Sequence, residues 1–332
     1  MSLLRYDPTT NDWIVYSSER SRRPHDAAPA AATPNDAADC PFCPGHEDRT
    51  PPELFALRDG PDGAWTVRVF ANKFPAFSPE SGHEHLEEGR VFRRLGGYGA
   101  HEIVVESPDH RAFLGHQPVD QIDRVLRTLL GRFNTLVQDT RIRAVVVFKN
   151  HGAPAGTSLH HPHWQIIATP VVPRLLRIRH AIATDYFDRT GRCVYCDLLE
   201  DERAAWVRVI AANDHYTALL PYASHSPFQI RILPRVHRAS FGRVPEEELR
   251  PLALILREVL SRLHAALGDP AFNLTINTAP RGDEHKPYYL WHVEIIPRLT
   301  TPAGFELGCG MSINTVLPEE ATRILRQAVP AP

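Results

Sequence analysis

The sequence predicts an α+β fold built on a mainly antiparallel sheet, and three observations predict it. Short alternating or β-branched runs dominate the chain, only one long amphipathic helix is legible in each half, and the two halves repeat one another. Taken in order, the runs at 64–70, 101–106, 143–149 and 163–168 read as strands by period and propensity. The clearest helix follows Pro118, where Val119, Ile122, Val125, Leu126, Leu129, Leu130 and Phe133 recur at helical spacing. Proline near the first helical turn sacrifices no hydrogen bond, and a twin helix runs from Pro245 to about Leu267.

The repeat is read by laying His110 on His237. His110 to Asn150 then aligns without a gap on His237 to Asn277, with His-Arg-Ala, Gly115/Gly242 and Pro118/Pro245 coinciding. Upstream, Val67–Asn72 echoes Val207–Asn213, and His101-Glu-Ile-Val-Val echoes Phe228-Gln-Ile-Arg-Ile. Downstream, His163-Trp-Gln165-Ile-Ile echoes His292-Val-Glu294-Ile-Ile, and each half opens with its own Cys-x-x-Cys. Two tandem copies of one module, 1–172 and 173–332, are expected.

The chain has 332 residues, with 37 basic against 39 acidic side chains and a formal net charge of −2. That balance lacks the basic footprint of a phosphate-gripping protein, so a nucleic-acid partner is not expected. No apolar run approaches the roughly 20 residues that span a bilayer, and the first residues lack a secretory core, so a cytoplasmic protein without a membrane partner is expected.

Five cysteines stand as Cys40-x-x-Cys43, Cys193-x-x-Cys196 and Cys309. Close pairs in an odd count favour metal ligation over disulfides. A Cys-x-x-Cys turn is half of a tetrahedral zinc site, and the repeat supplies the rest. His110 superposes on His237, and His161 or His292 stands at the start of the last strand of its copy. The expectation is two Cys2His2 zinc sites, Cys40, Cys43, His110, His161 and Cys193, Cys196, His237, His292. Cys309 reads as a small buried hydrophobe.

The densest chemistry lies in Asn150-His-Gly-Ala-Pro-Ala-Gly156-Thr157-Ser158-Leu-His160-His161-Pro-His163-Trp-Gln165. On a strand His161, His163 and Gln165 share one face, and Pro162, Trp164 and Ile166 the other. Imidazole attacks phosphorus when neutral near pH 7, and the phosphoryl-imidazole passes its group onward. Gln165 offers an amide donor to a phosphate oxygen, and the glycine-bearing turn brings backbone N–H groups and the Ser158 hydroxyl against phosphates. The second copy offers Leu290-Trp-His292 instead of His-Pro-His, so one active centre per chain is expected.

His161-Pro162-His163-x-Gln165, preceded by Gly-x-Ser158, resembles the active-site motif of the galactose-1-phosphate uridylyltransferase family, a histidine-triad superfamily member built from two such modules. The resemblance covers nearly the whole chain: Arg5-Tyr-Asp-Pro, Arg20-Ser-Arg-Arg23-Pro, Cys40-Pro-Phe-Cys43, Phe70-Ala-Asn72-Lys-Phe74-Pro-Ala76, Ser107-Pro-Asp-His110 and Gly304-Phe305-Glu306 fall where the family has them. It implies two histidine-triad-like modules, a homodimer, and ping-pong transfer in which His163 takes uridylyl from UDP-glucose and hands it to a hexose 1-phosphate. By the same resemblance Gln165 and Ser158 hold phosphoryl oxygens, Arg20 and Arg23 lie near the nucleotide phosphates, and Asn72, Phe74 and Ala76 meet the nucleoside. Asn150, Gly156 and Thr157 fall near the phosphates, and Phe305 and Glu306 at the hexose.

Trp164 departs from the small residue usual there, and either packs behind the reactive face or narrows the pocket. His151 stands where one branch has lysine, and the second Cys-x-x-Cys looks more like the branch with plant ADP-sugar adenylyltransferase or phosphorylase enzymes. An enzyme transferring adenylyl from an ADP-sugar or a diadenosine polyphosphate to phosphate is therefore the alternative. A zinc-held, non-enzymatic binding module is the remote one, lacking the basic stripe it needs.

Overall fold

A computed structural model describes residues 2–17, 37–58 and 63–329. In chain order the strands are β1 (Leu3–Asp7), β2 (Asp12–Tyr16), β3 (Glu53–Arg58), β4 (Trp65–Ala71), β5 (His85–Glu88), β6 (Phe92–Leu95), β7 (Ala100–Val105) and β8 (Ala144–His151). They continue as β9 (His163–Thr169), β10 (Val209–Ala212), β11 (Tyr216–Leu219), β12 (Ile230–Pro234), β13 (Phe272–Asn277), β14 (His292–Pro297) and β15 (Ile313–Asn314). The helices are α1 (Val119–Leu136), α2 (Arg174–Thr190), α3 (Val194–Ala205), α4 (Leu249–Leu267), α5 (Gly304–Cys309) and α6 (Pro318–Gln327). The fold is α+β, as expected.

Among the described residues, one ten-stranded sheet runs β10-β11-β12-β14-β13-β8-β9-β7-β4-β3 and every pairing in it is antiparallel. Strands from the first half fill one side and strands from the second half the other. At the seam Phe148 of β8 faces Thr275 of β13. These two residues are equivalents in the His110/His237 alignment, so a pseudo-twofold axis passes between them. Cross-strand pairing at this point buries both copies in one sheet instead of leaving two edges open.

The same symmetry corrects two of the echoes. Val207–Asn213 contributes the outermost strand β10, whose counterpart is β3, while Val67–Asn72 lies on β4, whose counterpart is β11. In β7 and β12 the register slips by one. Ile103 pairs with Gln165, and Arg231 pairs with Glu294, so His101 matches Gln229 and not Phe228. A one-residue slip moves a whole strand's side chains to the opposite face, which makes the distinction chemical.

Helices α1 and α4 pack over one face of the sheet. Their Ile122, Leu126, Leu129, Leu252, Leu256 and Val259 meet Val147, Trp164, Leu274 and Val293, all buried. Each such aliphatic side chain contributes roughly 1.5–3 kcal/mol by leaving water. Trp164 therefore packs behind the reactive face. On the opposite face a smaller cluster of Cys40, Phe42, Cys43, Phe70, Ile103 and Val105 carries the first Cys-x-x-Cys loop. Its counterpart joins α2 and α3 to Tyr195, Leu219, Leu233, Tyr289 and Leu290.

Helices α2 and α3 add to the one long helix expected in each half; their Arg-, Asp- and Glu-rich sequences carry only a weak apolar stripe, which hides them in the pattern, and Gly191 in the left-handed region closes α2. The amino-terminal hairpin β1-β2 crosses to the second half. It pairs in parallel with β15, and Arg5 forks onto Glu319 at 2.9 and 3.1 Å. No helix among the described residues is long and apolar enough to cross a membrane.

Candidate active site

The first Cys-x-x-Cys turn lies under the start of β9. Cys43 Sγ stands 3.3 Å from His110 Nδ1 and 3.5 Å from His161 Nδ1, and Cys40 Sγ stands 3.7 Å from His161 Nδ1. All four residues are buried. A tetrahedral ion with bonds of about 2.3 Å to sulfur and 2.0 Å to nitrogen separates its ligands by roughly 3.3–3.8 Å, so the donor set fits a metal. His161 donates Nε2–H to the Ser107 carbonyl at 2.8 Å, which leaves Nδ1 as the bare ligand atom. Burial and neighbouring Cys40 push the Cys43 thiol up to about 11, so a cation is what would stabilise the thiolates here.

The second cluster is smaller than expected. Cys193, Cys196 and His237 come together, with Cys196 Sγ 3.2 Å from His237 Nδ1, but His292 does not join them. His292 opens β14 as His163 opens β9, and donates Nδ1–H to the Leu290 carbonyl at 3.0 Å as His163 does to His161 at 2.8 Å. Buried Leu290 therefore occupies the ligand position that His161 fills in the first copy. His292 is thus the counterpart of His163 and not of His161, so it is not a ligand of the second cluster.

His163 faces a cavity of about 670 Å³ that Asn72, Phe74, Ser158 and Gln165 also line. With Nδ1–H committed to the His161 carbonyl, the ring's Nε2 carries the lone pair. Burial pulls the His163 pKa down to about 4, and the nearby Lys149 ammonium adds to the effect, so the ring is neutral near pH 7. That ammonium is itself buried, 3.0 Å from Glu106 Oε2. Phe42 meets the His163 ring edge-on at 5.3 Å between centroids and limits its rotation.

Other expected residues lie elsewhere. Ala76 borders the site through its backbone, donating N–H to His101 Nδ1 at 3.2 Å. Asn150 Oδ1 accepts from Asn273 at 2.9 Å, and Thr157 bonds back to the carbonyls of Asn150 and Leu159. Left-handed Gly152 and Gly156 (φ +80° and +89°) turn this loop, yet of its expected residues Ser158 alone lines the cavity. His151 is drawn away to Asp269 at 2.7 Å. Phe305 and Glu306 sit on the short α5 and do not line the cavity; Glu306 accepts the Ala303 N–H at 2.7 Å. Cys309 is exposed, not buried, because α5 leaves its last turn in solvent. Arg20 and Arg23 lie outside the described residues.

Sequence reading missed Arg49, Lys73 and His101. Arg49 and Lys73 line the cavity and supply positive charge there. Lys73 stands inside the Phe70–Ala76 motif, which was the available signal; Arg49 follows the first Cys-x-x-Cys outside every quoted motif. His101 contacts Gln165 Oε1 at 2.7 Å.

The second copy's equivalent site is closed. Glu294 replaces Gln165 and is held by Arg179 at 3.0 Å, Arg231 at 3.3 Å and Gln229 at 2.8 Å. Tyr195 packs on His292 at 5.1 Å, where Phe42 stands by His163. A carboxylate neutralised by two arginines cannot donate to a phosphate oxygen.

Residues 1–173 match the family described as Galactose-1-phosphate uridyl transferase, N-terminal domain, and residues 109–329 match a domain of unknown function, DUF4921. An ADP-glucose phosphorylase of Arabidopsis thaliana is 35% identical over 98% of this chain and 92% of its own length. A galactose-1-phosphate uridylyltransferase of Thermotoga maritima is 28% identical over 98% of both. A crystal structure of an ADP-glucose phosphorylase from Arabidopsis thaliana with bound ADP-glucose superposes with a TM-score of 0.85 at 32% identity, covering 99% of this chain and 100% of that one.

Proposed function

The chain belongs to the galactose-1-phosphate uridylyltransferase family, and from that premise we propose that it transfers a nucleotidyl group from a nucleotide sugar through a covalent adduct on His163. The observation that carries this is the neutral His163 ring, tethered at Nδ1 and presenting Nε2 to the cavity beside Gln165 and Ser158. Nε2 attacks the α-phosphorus, the Nε2–P bond forms, and the bond to the bridging oxygen breaks. The sugar 1-phosphate leaves with that electron pair. The Nδ1 proton stays on the ring against the His161 carbonyl, which disperses the positive charge. An acceptor phosphate oxygen then attacks phosphorus, and the Nε2–P bond returns its pair to the ring.

Gln165 and Ser158 serve as donors to the non-bridging oxygens, and Arg49 and Lys73 offset the phosphate charge. Cys40, Cys43, His110 and His161 hold zinc, and Cys193, Cys196 and His237 hold a second zinc. The ion is structural, fixing the strand end from which His163 projects. Residues 1–172 and 173–332 act as tandem modules, the first alone catalytic. Exposed Phe305, with Glu306, is the surface that a homodimer would bring to a second copy's hexose pocket.

An ADP-sugar with phosphate as acceptor is the favoured substrate pair, supported by 35% identity to the ADP-glucose phosphorylase against 28% to the uridylyltransferase. UDP-glucose with a hexose 1-phosphate is the second reading, supported by the uridyl transferase family match. Intact-protein mass after exposure to ADP-glucose or UDP-glucose without acceptor tests both. An adenylyl or a uridylyl increment absent from His163→Ala selects the donor, and no increment with either rejects the covalent route.

A further inference from the structure

We infer that His101 is a positioning residue that fixes which way the Gln165 amide points; the inference rests on the nucleotidyl-transfer reading above. The backbone N–H of Ala76 meets His101 Nδ1 at 3.2 Å. A backbone N–H only donates, so Nδ1 carries the lone pair and the proton of the neutral ring sits on Nε2. That proton reaches Gln165 Oε1 at 2.7 Å. The amide oxygen is thereby held on the His101 side, and the amide nitrogen, the donor a phosphate needs, turns to the cavity. The opposite tautomer would set His101 Nδ1–H against the Ala76 N–H and leave the Gln165 oxygen facing the phosphate.

The nearby Asn72 amide does not compete for this role. Its Oδ1 accepts the Phe74 N–H at 2.9 Å, so its nitrogen, 3.1 Å from Nε2, faces an already protonated atom. The His101 carbonyl also accepts the Asn72 N–H at 2.7 Å. One residue thus holds both the 72–76 loop and the catalytic amide. The second copy repeats the device with other chemistry, since Gln229 occupies the equivalent position and donates to Glu294 Oε1 at 2.8 Å. There the acceptor is a carboxylate, which has no wrong orientation.

The test follows the rate of nucleotidyl-enzyme formation in the full chain, using whichever of ADP-glucose or UDP-glucose labels the wild type. His101→Phe should slow labelling by roughly 10- to 100-fold, the scale of losing a partner that orients a functional side chain without touching the substrate. His101→Gln, which copies the second half, should recover most of that loss. Adding His101→Phe to Gln165→Ala should cost nothing further. Labelling of His101→Phe at the wild-type rate, or losses that multiply in the double variant, would overturn the inference. If neither nucleotide labels the wild type, the transfer reading fails by itself. The ¹⁵N shifts of the His101 ring then decide the positioning claim in the unmodified protein, as they do if His101→Phe does not fold. A protonated Nε2 and bare Nδ1 support it, and a protonated Nδ1 defeats it.

Discussion

The carbonyl oxygen of His161 accepts the Nδ1 proton of His163 at 2.8 Å. The residue that completes the first Cys/His cluster through its ring thus sets, through its backbone, the tautomer of the residue facing the cavity. A metal held by that cluster would fix the strand end from which His163 projects.

Removing metal should therefore lower both thermal stability and nucleotidylation, with the two clusters responding unequally. The three-residue set at Cys193, Cys196 and His237 includes partly exposed ligands, whereas the four-residue set is buried, so a mild chelator should strip the second set first. Elemental analysis during chelation checks the order. Cys43→Ser should abolish labelling while Cys196→Ser reduces stability with labelling retained, and Leu290→His should tighten metal binding at the second cluster by supplying the missing ligand.

Acid should destabilise the protein through its buried histidines. Burial holds His163 and His180 down to about 4 and His292 down to about 3, against an ordinary value of 6.5. The folded pKa lies below the unfolded one, so between pH 6.5 and about 4 the unfolded chain binds more protons. Stability is full above 6.5 and falls as pH drops through that window, and on to about pH 3 for His292, by on the order of 10 kcal/mol for the three together. Urea titrations at stepped pH measure it. Labelling rate per folded molecule should hold down to about pH 5; a rate that halves near 6.5 would show an unshifted nucleophile.

Much of this was written in the chain. The gapless match from His110 to Asn150 survives as the Phe148–Thr275 pair on the pseudo-twofold axis, because no residue is inserted or deleted between helix and strand, although α1 and α4 have 18 and 19 residues and β8 and β13 have 8 and 6. The His163 face was legible from alternation alone. His101 was not, since a single histidine in a strand gives no sign of which loop will fold against it. The missing fourth ligand of the second cluster was legible, since the echo of His163-Trp-Gln165 in His292-Val-Glu294 already sets Leu290 opposite His161.

Trp164 supplies a test of the two faces of β9. Its side chain is buried with the α1 and α4 residues, away from the cavity. Trp164→Ser should cost about 3–5 kcal/mol, the scale of emptying a large aromatic site, yet leave the Kd for the nucleotide sugar within a few-fold. A large change in Kd with little loss of stability would place the ring at the pocket.

The closed second site predicts one label per chain. Glu294 is fully committed to Arg179, Arg231 and Gln229, and His292 is sealed beneath Tyr195. Glu294→Gln restores the residue type found at 165, but it removes the charge that pairs the buried Arg231 and the half-buried Arg179 guanidinium groups. Breaking such an arrangement costs about 3–5 kcal/mol, so the variant should unfold at lower urea and gain no second label. His292→Ala should label to the same stoichiometry as wild type. A second nucleotidyl group on Glu294→Gln would mean that the carboxylate alone, and not the packing around His292, keeps the second copy silent.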